Sequence, residues 1–190
     1  MEKPIQPAPN TQNQKSGCKR LLFSFFLVIF MLLLAGSALI SASSPLNPIS
    51  SVFKTIGFVV KGRLHLPTRR IGEVITDEDG RQFTIFREVL VDPAENQPEH
   101  PGAVLVIHFK VTNISPELNK VYSLLPLPLY IGDPGFRSKL FTINGEDCQS
   151  IYEWDTVQDA RNYVNSKALK TILMRAVPGS VTYKITATQK

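Results

Sequence analysis

Cysteine is scarce: the 190-residue chain has two, Cys18 and Cys148. That excludes a disulfide scaffold and any Cys-rich zinc site. Histidine is nearly as rare, and His65, His100 and His108 are scattered with no metal-ligand spacing. Charge is sparse at 19% of residues, with 21 basic against 16 acidic side chains for a net +5. So mild an excess favours an anionic surface without specifying nucleic acid, and the basic residues are not interleaved with strand aromatics as an RNA-binding sheet requires. No repeat of solenoid length occurs. A nucleophile elbow, a P-loop and a dinucleotide fingerprint are all missing. The 14 prolines follow no period, which excludes collagen. Hydrophobic residues at 43% exclude a wholly disordered chain and a multi-span membrane protein.

What is present begins with one long apolar run. Leu21 to Ile40 reads LLFSFFLVIFMLLLAGSALI and carries no charge. About 20 residues at 1.5 Å per residue make about 30 Å of helix, the thickness of a bilayer core. The reading is a transmembrane helix over 21–41. The alternative is a cleaved secretory signal, to which the small residues Ser41, Ala42 and Ser43 would give a cleavage site. Lys3, Lys15, Lys19 and Arg20 precede the run, whereas only Lys54 follows in a comparable stretch. That bias places the N-terminus in the cytoplasm and the C-terminal domain outside, at a cell membrane crossed once. Residues 1–20 are expected to form a disordered cytoplasmic tail, since MEKPIQPAPNTQNQ has almost no apolar bulk to offset chain entropy. Over 42–70 lies a linker. Its Ile49, Val52, Phe53, Ile56 and Val60 fall at helical spacing, either as an amphipathic helix on lipid headgroups or as an element packed against the domain.

Residues 71–102 hold a β-hairpin and a loop. Two β-prone runs flank DEDG, and Asp79-Gly80 signals a tight turn. A calcium loop is excluded because the remaining ligands and the closing Glu are missing. The loop that follows is polar and proline-rich, DPAENQPEHP.

From Ala103 onward the pattern is strand, helix, strand, strand, helix, strand. AVLVIHFKVT alternates, with Leu105, Ile107, Phe109 and Val111 on one face. Ser115-Pro116 opens a helix that Pro126 and Pro128 must break. FRSKLFTI and CQSIYEW are antiparallel partners across NGED. Thr156-x-x-Asp159 starts a second helix that runs to about Met174, and VTYKITA is the last strand. Arg137 and Lys139 read as a solvated strand edge. This order is the ferredoxin-like βαββαβ arrangement, an α+β fold over 103–190. Two helices cover one sheet face; the other needs a cover, either a second copy of the domain or the preceding hairpin.

At PGFRSK (Pro134 to Lys139), SIYEWDTVQDARNYVNS (Ser150 to Ser166) and VPGSVTYKI (Val177 to Ile185) the chain resembles the dimeric α/β-barrel superfamily. More narrowly it resembles the antibiotic-biosynthesis-monooxygenase-like proteins. The resemblance covers about Ala103 to Thr188. It implies a homodimer through the sheet face and a cavity between sheet and helices. It also implies, in some members, oxidation of aromatic polyketides without metal or flavin. No cofactor is therefore expected, and the expected partners are membrane lipid, a second copy and a small apolar or aromatic ligand, with no nucleic acid. Haem degradation, the other activity of the superfamily, needs a helix histidine that Thr156 to Met174 does not contain.

Such chemistry needs an apolar cavity and a few polar groups to take a phenolic proton and orient the anion. The candidate catalytic residues are His108, Asn113, Tyr152 and Trp154, and the candidate substrate-contacting residues are Tyr163 and Phe136. Tyr152 and Trp154 share a strand face; His108 has a suitable intrinsic pKa; Asn113 ends the first strand, where it also begins an Asn-Ile-Ser sequon. The competing reading is a non-catalytic ligand-binding or interaction module tethered to the membrane.

Overall fold

A computed structural model describes residues 46–188. The expected tail at 1–20 and the expected membrane helix at 21–41 lie outside the described residues. Among those described, no helix is long and apolar enough to cross a membrane.

In chain order the elements are α1 (Pro48–Val60), β1 (Leu64–His65), β2 (Val74–Thr76), β3 (Gln82–Val91) and β4 (Ala103–Lys110). Then come α2 (Pro116–Tyr122), a 3-10 turn (Leu127–Leu129), β5 (Phe136–Asn144), β6 (Asp147–Trp154), α3 (Val157–Val164), α4 (Lys167–Leu173) and β7 (Thr182–Ala187). One antiparallel sheet has the order β1-β3-β5-β6-β4-β7, with β2 paired to β3. The last four positions are the ferredoxin-like order, and β3 extends that sheet along the outer edge of β5.

Alternation sets which face each side chain takes. On β4, Ala103, Leu105, Ile107 and Phe109 are buried beneath the helices, while Val104, Val106 and His108 turn to the opposite face and are half-buried. On β6 the helix-side residues are Cys148, Ser150, Tyr152 and Trp154, each paired across from one of those four.

The helices obey their caps. Ser115 accepts from Leu118 N, and α2 ends within two turns, before Pro126. The second helix, expected as one, is two. Asn165 closes α3, and Ser166 starts α4 by accepting from Leu169 N at 3.0 Å. A serine N-cap contributes about 1 kcal/mol, enough to favour a break where the chain must also turn.

α1 packs against the 3-10 turn through a mixed face. Ser51, Val52 and Thr55 are buried, Ile49 and Ile56 are half-buried, and Phe53 and Val60 are exposed, so the apolar spacing marks the packed face only in part. The cause is a close backbone approach. A Cβ at Gly132 would collide with the Ser51 carbonyl oxygen, so only a small residue fits there, and Gly132 N donates to Ser51 Oγ at 3.0 Å.

Part of the second sheet face is covered from within the chain. Gly80 takes φ 80° in the tip between β2 and β3, and Asp77 Oδ1 accepts from Asp79 N and Arg81 N there. That tip folds back across the sheet: Glu78 meets Lys184 of β7 at 2.6 Å, and the rings of Phe83 and His108 lie 5.7 Å apart. Phe83 and Ile85 are fully buried under this strap.

Candidate functional site

Strand alternation would place Lys139 on the face opposite Phe136. It does not, because the register of β5 against β6 shifts between Phe136 and Ser138. Lys139 then pairs with Tyr152 and joins Phe136, Phe141 and Ile143 on the helix side. A second shift, between Ile85 and Arg87 on β3, does the same for Arg87, which pairs with Phe141. Bulges of this kind re-aim side chains, and here both aim a cation beneath the helices.

The sequence reading of Arg137 and Lys139 as a solvated edge is therefore corrected. Arg137 is buried, bound to Asp155 at 2.8 Å and to the carbonyls of Pro98 and Glu99. Lys139 is 3% exposed. Its Nζ lies 3.9 Å from the Phe141 ring centre, 4.4 Å from that of Tyr152 and 4.9 Å from that of Tyr130. Its hydrogen-bond partner is the Tyr130 hydroxyl, 3.2 Å away.

Burial, and then the guanidiniums of Arg175 and Arg87, push the Lys139 amine well below its ordinary pKa. The ring faces favour the charged form and offset part of that. Among the described residues none of these three cations is within ion-pair distance of a carboxylate.

Lys139, Tyr152, Cys148, Asn119, Phe109 and Arg175 line a cavity between the sheet and α2 and α4. Its volume is about 20 Å³, room for a single water. Three of its wall residues, Pro126, Ile172 and Arg175, also line an open groove of about 600 Å³ on the outer surface. That groove is apolar, with Leu125, Leu129, Tyr122 and Met174 along it. Two buried polar atoms of the inner cavity's lining residues have no partner, Asn119 Oδ1 and Arg175 Nε.

Behind Tyr152 stands an aromatic cluster. The Tyr152 and Tyr163 hydroxyls are 3.2 Å apart. Trp154 and Tyr163 have ring centres 5.0 Å apart, and Phe136 meets Trp154 edge-on at 5.5 Å. Burial pushes the Tyr152 phenol up to about 12, so it stays protonated and can donate.

The structure thus brings Tyr152, Trp154, Tyr163 and Phe136 together. Of these, Tyr152 lines the cavity; the other three are enclosed behind it. His108 lies on the other sheet face, beneath the strap, where Arg81 Nη2 is 3.5 Å from its Nδ1. Burial and Arg81 lower its pKa. Asn113 is exposed at φ 68°, a turn position that Asn tolerates. Neither shares the cavity with Tyr152. The residues that sequence reasoning missed are Lys139, Arg175 and Arg87. A signal existed for one: Lys139 has the parity of Phe141 and Ile143, two large apolar residues that must face inward. The other two depend on a bulge and on where the chain goes after α4.

No family model matches the chain, and no curated protein does. Among solved structures, it is similar to an uncharacterized ferredoxin-fold protein related to antibiotic biosynthesis monooxygenases from Listeria monocytogenes. The identity is 17%, with 63% of this chain and 70% of that one covered, at a TM-score of 0.43. A monooxygenase-like protein from Listeria innocua is 15% identical over 60% of this chain and 67% of that one, at a TM-score of 0.42. An anthrone oxidase-like protein is 17% identical over 57% of each chain, at a TM-score of 0.39.

Proposed function

We propose that the domain takes a small apolar or aromatic molecule between sheet and helices and oxygenates it with dioxygen, without a cofactor. The observation that supports this is Lys139, an amine enclosed by three aromatic rings on a cavity whose described lining contains no carboxylate and no imidazole. A lysine with a depressed pKa is a competent base. It accepts the proton of an acidic phenol or enol, and the protonated Tyr152 hydroxyl donates to the anion formed. That anion supplies the electrons to dioxygen. In the balanced reaction an activated methylene becomes a carbonyl: one oxygen atom enters the product, and the other leaves as water with the two hydrogens removed.

The closed cavity is too small for such a substrate, so entry runs through the neighbouring groove and requires α4 to shift. α4 is seven residues long and is set off from α3 by the caps Asn165 and Ser166, which suits it to move. The test is oxygen uptake by the full chain with a panel of dihydroxy-aromatic compounds. Uptake above the uncatalysed rate, lost in Lys139→Met, supports the reading. Saturable binding with no uptake supports the second reading, a ligand-binding module without chemistry, which the open apolar groove favours.

The apolar run at 21–41 would hold this domain at the outer surface of a cell membrane. Protease added to intact cells should then remove the C-terminal domain. Pairing of two copies through the sheet face would have to use the strip left beside the strap, around Val104, Val106, Leu140 and Ile151. Sedimentation at rising concentration reads it.

A further inference from the structure

Three basic side chains gather at one apolar space without an acid to balance them: Lys139 and Arg175 line it, Arg87 stands behind Ser123, and Lys139 carries its charge once it has taken the ligand's proton. Lys139 and Arg87 are turned inward by bulges on adjacent strands, and Arg175 reaches in from the end of α4. Arg87 donates to the hydroxyl of Ser123, itself a wall residue of the cavity, and its guanidinium lies 5.5 Å from the Phe141 ring centre. Arg175 keeps a buried Nε without a partner and stands over Phe109. Buried charge without a counter-charge is costly, and a protein tolerates it where a ligand supplies the missing charge. The placement of Arg175 adds direction. It is shared by the water-sized inner cavity and the 600 Å³ apolar groove, so a molecule lying in the groove presents its near end to Arg175 first and to Lys139 beyond.

Building on the proposed small-molecule reading, we infer that the natural ligand is an apolar organic oxyanion, its hydrocarbon or aromatic body in the groove along Leu125, Leu129 and Met174 and its ionised head between Arg175 and Lys139. The guanidinium of Arg175 donates to the head, and the Asn119 side chain lies beside it. A neutral molecule of equal shape would leave the cations uncompensated and bind more weakly.

Naphthalene-2-carboxylate and naphthalene-2-carboxamide share a shape and differ in charge. Equilibrium dialysis against the full chain, with identical buffer and detergent on both sides, gives their dissociation constants. The carboxylate is expected to bind at least about tenfold more tightly, the difference that one charge-assisted hydrogen bond supplies. Arg175→Gln, at the half-buried rim, and Lys139→Met should each remove most of that advantage and leave the carboxamide within about threefold of its original affinity. Carboxamide binding as tight as carboxylate binding overturns the oxyanion inference and leaves the small-molecule site standing. Binding of neither probe overturns both.

Discussion

Asp133 gives the most quantitative handle on how α1 is held. Its carboxyl is 6% exposed in the loop before β5, and Oδ2 has no partner. Burial raises its pKa from 3.8 to about 7, with Ser51 and Lys54 of α1 pulling the other way. Below pH 3.8 the group is protonated folded and unfolded, and its contribution is fully present. Between 3.8 and about 7 the folded state keeps a proton that the unfolded chain releases, so stability falls as pH rises. Above that both states are ionised and the loss is complete. One pKa unit is about 1.4 kcal/mol, so the full loss is at most about 4 kcal/mol. Asp133→Asn, neutral at every pH, should gain on the wild type by up to that amount between pH 4 and pH 8. Urea unfolding of the full chain read by Trp154, the one tryptophan, measures it. At a slope of about 2 kcal/mol per molar urea the two midpoints should separate by up to about 2 M across that range. Midpoints that keep a constant separation, or a wild type that gains on the variant as pH rises, would refute the argument.

Gly132→Ala should undock α1, because its Cβ meets the Ser51 carbonyl oxygen; a loss of about 2–4 kcal/mol in urea unfolding is expected, while Gly57→Ala, in open space, should cost nothing. Arg137→Met leaves Asp155 buried with its charge less compensated and frees two carbonyls, so the midpoint should fall by about 3–5 kcal/mol equivalent. Lys139→Met should go the other way, raising stability by about 1–3 kcal/mol as an unpaired buried amine is replaced by an apolar chain of similar length, even as oxygen uptake is lost. A Lys139→Met protein less stable than wild type would mean that the aromatic enclosure stabilises the cation more than burial penalises it.

The sheet was readable because its signals are local. AVLVIHFK alternates cleanly, and NGED and Asp79-Gly80 can hardly be anything but turns, so the ferredoxin-like strand order follows from the spacing of a few such runs. The helices were less legible. Ser166 reads as one more polar residue on a continuous helix until its hydroxyl is seen to cap a second one. The apolar stripe of α1 finds Val52 and misses Ser51 and Thr55, since the demand for a close approach comes from Gly132, 81 positions away from Ser51. The cavity was half-legible. Tyr152 stands out by type and parity, but His108 attracts attention for its pKa and takes the other face, which alternation with Ile107 already implied. Arg87 escapes notice because the rule that assigns sides to a strand fails at the bulge on β3, and Lys139 because parity counted from Phe136 points it outward while parity counted from Phe141 points it inward.

Those two bulges make the polarity of the interior depend on counting. Excising Arg137 from β5 removes no residue of the cavity wall and excising Phe86 from β3 removes one, yet either restores simple parity, so that one end of the strand must present its opposite side. Either the cation turns out to water or the aromatic residues beyond it do. The chemical character of the space under the helices is thus written in the length of two strands as much as in their letters, and a relative one residue shorter at either point would enclose a different kind of room within the same outline.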